Sequence, residues 1–246
     1  MVNILLGLLI GIFVSLVGGG GASLYLGVLS SQLPTGTAVS TSLIVALPAL
    51  FFGTLVQMRL HNVHFKMGNQ LIIAAIPSIL IGTVLSRFIP SKLYTIVIGL
   101  LLTVMGIIVL RKNLRHANST GQAPKERPLV AYALGALSGL MVGMGGLSGG
   151  ATTVAGLSMM GLTTFEAAGT TTYVLCAMSL VGFLSHLLTS TIAWSAGITL
   201  MIGAIIGSIL TPIVLSRLDL RKLDHPLGIF LGVVIVYFGV KMLVTA

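Results

Sequence analysis

Long apolar runs separated by short polar stretches make up most of this chain. A straight helical crossing of a bilayer takes about 20 apolar residues, each adding a rise of about 1.5 Å. Six runs reach that length, near residues 38–58, 67–86, 93–110, 166–187, 193–215 and 226–244. The pattern therefore predicts six full transmembrane helices, three in each half of the chain.

Two further apolar segments, 4–31 and 130–157, are interrupted by glycine-rich runs at 18–21 and 145–150. Each arm of these segments is too short to cross a bilayer. Glycine also costs a helix about 1 kcal/mol per residue relative to alanine. We therefore expect each segment to be either a kinked helix or a re-entrant hairpin. The predicted fold is an all-α polytopic membrane protein with eight hydrophobic segments in all.

The second half of the chain repeats the first with an offset of 129 residues. On this offset Gly20 aligns with Gly149 and Thr41 aligns with Thr170, which indicates an internal duplication. The predicted division is a first repeat at 1–110, a basic cytoplasmic linker at 111–129 and a second repeat at 130–246. Each repeat then consists of one glycine-broken segment followed by three transmembrane helices.

The distribution of the thirteen Lys and Arg residues favours the hairpin reading of both broken segments, because positive charge accumulates on the cytoplasmic side. With two hairpins, ten of these residues lie on the side of the linker and three on the other side. With two full crossings the split is eight to five. Hairpins leave an odd number of crossings in each half, so we expect two inverted repeats with both termini outside.

Composition excludes a soluble protein. Hydrophobic residues make up 56% of the chain and charged residues only 7%, whereas a soluble domain carries about 25% charged residues. The formal net charge of +9 comes from basic residues between apolar runs. These residues are typical of topology signals and not of a nucleic-acid surface. We expect a multi-pass protein of the cell membrane whose partners are the bilayer and a small molecule.

The paired glycine breaks mark the candidate binding site, because interruptions at matching positions of two halves indicate where a transporter holds its substrate. Helices that restart after each break direct free N–H groups and the positive end of the helix dipole inward, which favours a small anion. Two such starts related by a two-fold axis would meet near the bilayer midplane. The candidate substrate-binding residues are Gly18, Gly19, Gly20, Gly21, Ser23, Ser40, Thr41, Ser42, Gly145, Gly146, Ser148, Gly149, Gly150, Thr152, Gly169, Thr170 and Thr171.

Simpler roles compete with this interpretation. Glycine in membrane helices often serves close packing, and a hydroxyl often bonds the carbonyl four residues earlier. The sequence contains no catalytic set, and its single cysteine, Cys176, excludes an internal disulfide and a cysteine metal cluster. We therefore expect neither an enzyme nor a cofactor. The alternative to a transporter is an integral membrane subunit or scaffold without transport, and an intramembrane enzyme is a distant third.

The chain resembles the TauE/SafE family of membrane proteins, also called the sulfite exporter family. The resemblance rests on the glycine-rich stretch 17–22 and the following 38–43, and on their second copies at 142–151 and 167–171. It covers essentially the whole chain. It implies outward transport of a small anion such as sulfite, a sulfonate or a related organic anion. The first copy lacks a proline soon after its glycines, and Gly169 replaces the usual serine or alanine, so the substrate stays open.

Overall fold

The computed structural model describes residues 2–18, 21–29, 33, 35–85, 88, 127–145, 149–187 and 191–216, together with isolated positions between 92 and 114 and between 226 and 244. The predicted spans near 93–110 and 226–244, and most of the linker at 111–129, fall largely outside these residues.

Eight continuous helices are described, and they follow the predicted apolar segments. They are α1 (Val2–Val17), α2 (Gly21–Leu29), α3 (Thr35–Arg59), α4 (Phe65–Leu85), α5 (Pro128–Gly145), α6 (Gly150–Met159), α7 (Thr164–Leu187) and α8 (Trp194–Ser216). Four of them, α3, α4, α7 and α8, are long and apolar enough to cross a membrane. The all-helical membrane architecture predicted from the sequence is confirmed at this level.

Both glycine-rich runs interrupt the helix, as their composition predicts. Gly18 has a φ of +70°, a left-handed conformation that glycine adopts without steric cost and that commonly ends a helix. Its N–H still bonds the carbonyl of Val14 at 2.7 Å. In the second half, α5 ends at Gly145 and α6 begins at Gly150.

The first helix of each half packs along a helix of the other half: α1 lies against α8, and α5 lies against α4. Glycine makes both approaches possible. A Cβ atom added at Gly11 would lie 2.5 Å from the carbonyl oxygen of Ala204, and one added at Gly139 would lie 2.4 Å from that of Ala75. Small residues let membrane helices approach closely enough for extensive dispersion contact.

Contacts along the helices fix their directions. Gly7 meets Leu200 and Gly11 meets Ala204, so α1 and α8 run parallel. By the same criterion α3 runs parallel to α8, because Thr41 is next to Gly197 and Gly53 is next to Ser208. In contrast, α3 runs antiparallel to α7, as the next pairs show: Gly182 lies near Leu43, and Gly53 near Thr172.

The surface of the described helices is apolar. Large side chains such as Leu9, Ile73 and Leu210 have more than half of their surface exposed, at 61%, 63% and 51%. Hydroxyl side chains, in contrast, lie largely inside, and Ser40, Thr41 and Ser42 are fully buried. A soluble protein rarely exposes apolar patches of this kind, so this surface is suited to lipid.

Candidate functional site

Two threonines from the candidate set form matching contacts between the halves. Thr41 on α3 accepts a hydrogen bond from the backbone N–H of Ala193 at 3.0 Å. Thr170 on α7 accepts one from the N–H of His64 at 2.9 Å. The two acceptors are 129 positions apart in the chain, and so are the two donors. We call these contacts the Thr41 cap and the Thr170 cap.

The caps hold the residue that precedes a spanning helix. Ala193 comes directly before α8 and His64 directly before α4. The carbonyls of both accept the first i→i−4 hydrogen bonds of those helices, from the N–H groups of Gly197 and Gly68. The N–H groups at a helix start have no partner within the helix. The threonines satisfy such groups across the two halves, so Thr41 and Thr170 have a structural role that the sequence analysis did not distinguish.

The neighbouring hydroxyls divide into bonded and unbonded groups. Ser42 donates to the carbonyl of Val39 at 2.8 Å, and Thr172 donates to that of Ala168 at 2.9 Å. The Oγ atom of Ser40 and the Oγ1 atom of Thr171 are buried without a hydrogen-bond partner among the described residues. A buried polar group without a partner costs about 1–3 kcal/mol, so these two hydroxyls are the members of the candidate set best able to serve a ligand or water.

The second glycine break has its own hydroxyl cluster. Ser138 on α5 donates to the carbonyl of Gly149 at 3.1 Å and lies within hydrogen-bond distance of the hydroxyls of Thr152 and Thr153. Thr152 also bonds the Gly149 carbonyl at 2.7 Å. These contacts attach the start of α6 to α5. Ser138 was missed by sequence reasoning because a single serine in an apolar run carries no pattern.

The described ends of the two breaks lie at different positions along α7. A Cβ atom at Gly18 would lie 2.3 Å from the Cα atom of Ala168, whereas Val142, near the end of α5, lies beside Gly182. The two α7 positions are separated by fourteen residues, which is about 20 Å of helix. The expected meeting of the breaks is therefore not seen among the described residues.

Several candidate residues cannot be assigned a contact. Gly19, Gly20, Gly146, Ser148 and the side chain of Ser23 lie outside the described part of the chain. Of the remaining glycines, Gly21 and Gly150 are buried first residues of α2 and α6, and Gly145 is the last residue of α5. Gly169 lies against the α3–α4 loop, where a Cβ atom would be 2.8 Å from the carbonyl oxygen of Asn62.

A small recess, with an enclosed volume of about 10 Å³, lies next to the first glycine break. Its lining includes Ser15 and Phe165, which come three residues before Gly18 and Ala168 on the helices that meet there. Gln57 also lines it, although only 3% of the Gln57 surface is exposed. Glutamine attracts little attention in a sequence without an alignment, and only the fold shows that it borders an opening.

Ionisable groups are found beside the Thr170 cap. His64 Nε2 lies 3.0 Å from Glu166 Oε1, and the other oxygen of Glu166 accepts hydrogen bonds from the N–H and the hydroxyl of Thr163. The Thr163 hydroxyl in turn accepts the N–H of Glu166, which completes a capping box at the start of α7. Among the described residues, no group of three or more His, Cys, Asp or Glu side chains could hold a metal ion.

Comparison with known proteins identifies the family. The profile of the family described as Sulfite exporter TauE/SafE matches residues 3–242. The chain is also 22% identical, over 268 aligned residues that cover 98% of each protein, to the Probable membrane transporter protein YunE of Bacillus subtilis (strain 168). No solved structure matches the chain at a significant level. With its hydroxyl-lined interior and lipid-suited surface, the chain therefore belongs to the Sulfite exporter TauE/SafE family, and it is a multi-pass membrane transporter and not an enzyme.

Proposed function

We propose that this transporter is a secondary carrier that exports a small anion such as sulfite, a sulfonate or a related organic anion. The observation that carries the proposal is the presence of unpartnered hydroxyls, on Ser40 and Thr171, buried near opposite ends of two spanning helices that pack antiparallel. Hydroxyl donors can replace part of the hydration of an oxyanion. A family named for sulfite export makes this ligand class the natural one.

An inverted repeat would give such a carrier two alternating states. The matching of Thr41–Ala193 with Thr170–His64 supports a two-fold relation between the halves. The antiparallel course of α3 and α7, which are corresponding helices on the 129-residue offset, supports an inversion. In transporters built this way, rocking of one repeat against the other exposes a central site first to one side and then to the other.

The re-entrant reading of the first glycine-broken segment also has support. Because α1 and α3 both run parallel to α8, the chain has to return between the end of α1 and the start of α3. The short helix α2 lies on that return. A hairpin of this kind agrees with the topology proposed from the basic residues, in which the linker at 111–129 is cytoplasmic and both termini are outside.

Flux measurements on purified protein in proteoliposomes test the proposal. We expect wild-type protein to move sulfite or a small sulfonate, with protein-free liposomes as the background. We expect Gly18→Val to reduce this flux at least tenfold. The backbone at position 18 is left-handed, a conformation that valine rarely adopts, and the added side chain would collide with the Ala168 backbone. Gly21→Val and Gly150→Val, at the starts of α2 and α6, are expected to abolish transport while the protein still inserts.

Gly53→Ala is the matched control, because a Cβ atom there would meet Thr172 and Ser208 at 3.4 Å or more, which is ordinary contact. We expect nearly normal flux from this variant. Failure of the wild-type protein to move any small anion at millimolar concentration would contradict the proposed function.

A further inference from the structure

We infer that the hydroxyl of Tyr25 binds the transported anion at the start of α2, together with the free N–H groups of the first glycine break. The inference rests on the proposed function and adds to it a side chain that determines the affinity for the ligand. The Tyr25 hydroxyl has no partner among the described residues. It is directed at the start of α2, and that start lies deep in the helix bundle.

The Tyr25 hydroxyl is buried and unsatisfied. Only 1% of the surface of Tyr25 is exposed, and its oxygen makes no hydrogen bond to any described residue. Other buried hydroxyls, such as those of Ser42 and Thr172, donate to a carbonyl three or four residues earlier. A phenol cannot do so, because its ring holds the oxygen away from the nearby backbone. Buried donors normally have an acceptor from protein, water or ligand, so this one is suited to a ligand that supplies an acceptor.

The ring of Tyr25 points back along α2 toward the first glycine break. A Cβ atom added at Gly21, one turn earlier, would lie 3.6 Å from Cε2 of Tyr25. Side chains on a helix lean toward its N-terminus, and Cε2 is bonded to the carbon that carries the hydroxyl. The hydroxyl therefore lies at the first turn of α2, where the N–H groups have no partner within the helix. These N–H groups and the positive end of the helix dipole favour an anion.

The start of α2 lies deep in the bundle. Gly21 is next to Val14 on α1, because an added Cβ atom would come within 2.8 Å of Cγ2 of Val14. Three residues before Val14, Gly11 contacts Ala204, which is near the middle of the spanning helix α8. The middle of a bilayer provides no water to a polar group. The Tyr25 hydroxyl can therefore be satisfied only by a bound ligand or by water held inside the protein.

The second glycine break has no such unpaired hydroxyl among its described residues. The 129-residue offset places Val154 at the position of Tyr25. The hydroxyls of Ser138 and Thr152 both bond the carbonyl of Gly149, and a Cβ atom at Gly149 would lie 2.6 Å from that of Ser138. These contacts close the start of α6 against α5. The first break is therefore the one that offers a free donor to a ligand.

Tyr25→Phe removes the hydroxyl and keeps the ring, so it separates ligand binding from packing. We expect the KM for sulfite in proteoliposomes to rise about tenfold, as for loss of one hydrogen bond to a charged group. The unfolding temperature in detergent without ligand is expected to stay the same or rise, because the lost hydroxyl has no partner among the described residues.

Thermal unfolding also measures binding directly. A ligand that binds only the folded state stabilises it, so sulfite is expected to raise the unfolding temperature of the wild-type protein. Sodium chloride at the same ionic strength is the reference. We expect Tyr25→Phe to lose most of this sulfite-induced shift.

Tyr173→Phe is the matched control, because it removes a hydroxyl that has a partner, Oδ1 of Asn69 at 2.7 Å. We expect this variant to lower the unfolding temperature without ligand. Its KM and its sulfite-induced shift are expected to stay at the wild-type values, so the two substitutions have opposite effects on stability and binding.

The outcomes distinguish this inference from the proposed function. Wild-type flux with an unchanged KM and an unchanged sulfite-induced shift in Tyr25→Phe would overturn the role of Tyr25 while the transport function stands. A fall in the unfolding temperature of Tyr25→Phe without ligand, or a failure of this variant to fold, would overturn it too, because the hydroxyl would then have a structural partner. Absence of flux for every small anion in the wild-type protein would overturn the proposed function and this inference with it.

Discussion

The Thr41 cap and the Thr170 cap occupy matching positions in the two halves, yet their surroundings differ. At the Thr170 cap, His64 bonds Glu166 at 3.0 Å, and the recess with Gln57 lies nearby. The residues that correspond to His64 and Glu166 on the 129-residue offset are Ala193 and Thr37. Thr37 bonds Thr191 at 3.2 Å. One end of the bundle therefore carries an ionisable pair where the other carries neutral groups.

This comparison distinguishes the contacts that the two halves share from the positions at which they differ. The shared contacts satisfy backbone groups at the start of a spanning helix, where an unpaired N–H would be costly in an apolar surrounding. The differing positions are partly exposed: the side chains of His64 and Glu166 are 35% and 29% accessible. Because water solvates a charged side chain at such a position, either a charged or a neutral residue can occupy it. The two ends can therefore acquire different functions.

The largest effect is expected from variants that disrupt the two matching helix pairs, α1–α8 and α5–α4. Gly11→Val forces a side chain into the backbone of α8, and Gly139→Val does the same at α4. We expect both variants to lose most of the folded protein, since overpacking against a backbone costs several times the ~1–3 kcal/mol typical of side-chain clashes. Size-exclusion yield in detergent measures the effect.

Gly197→Ala is the control for this pair, because its Cβ atom would meet only the methyl groups of Thr41 and Val45, at 3.3 and 3.6 Å. If one of the two valine variants folded normally, the α1–α8 and α5–α4 contacts would not be equivalent.

A smaller effect is expected from variants that remove the Thr41 cap or the Thr170 cap. Thr41→Val and Thr170→Val each leave one backbone N–H at a helix start without its acceptor. We expect each to lower the free energy of unfolding by about 1 kcal/mol, and Thr→Ser at the same positions to restore most of it. Thermal unfolding in detergent measures the loss. Equal losses would support the two-fold relation, and a loss at only one position would contradict it.

The smallest effect concerns the ionisable pair. Glu166→Gln removes the charge that faces His64 and weakens the capping box with Thr163. The side chains are about one-third exposed, so solvent screens the interaction, and we expect a loss of at most ~1 kcal/mol. Thr37→Val at the matching position is expected to cost less still. A larger loss from Thr37→Val than from Glu166→Gln would show that the neutral end is the more tightly held.

Sequence reasoning found four of its six predicted spans, which the described residues include, and both glycine breaks, because hydrophobicity and glycine propensity act locally. It also selected Ser40 and Thr171, two of the four described buried hydroxyls that have no partner; the others are on Tyr25 and Thr54. It could not separate them from Thr41 and Thr170, whose partners lie 152 and 106 residues away in the chain. Contacts over such separations leave no local signal. For the same reason, the sequence did not indicate a role for Gln57 or Ser138.

The sequence by itself determined that the chain is an α-helical membrane protein with glycine-broken segments, because the bilayer selects apolar runs of a fixed length and glycine runs disfavour a continuous helix. Only the tertiary structure decided which hydroxyls hold backbone groups and which remain open to a ligand. It also showed that the described ends of the two breaks lie at different positions along α7 and that one of them borders a recess. These properties depend on the direction and close approach of helices from opposite halves, which packing sets and composition does not.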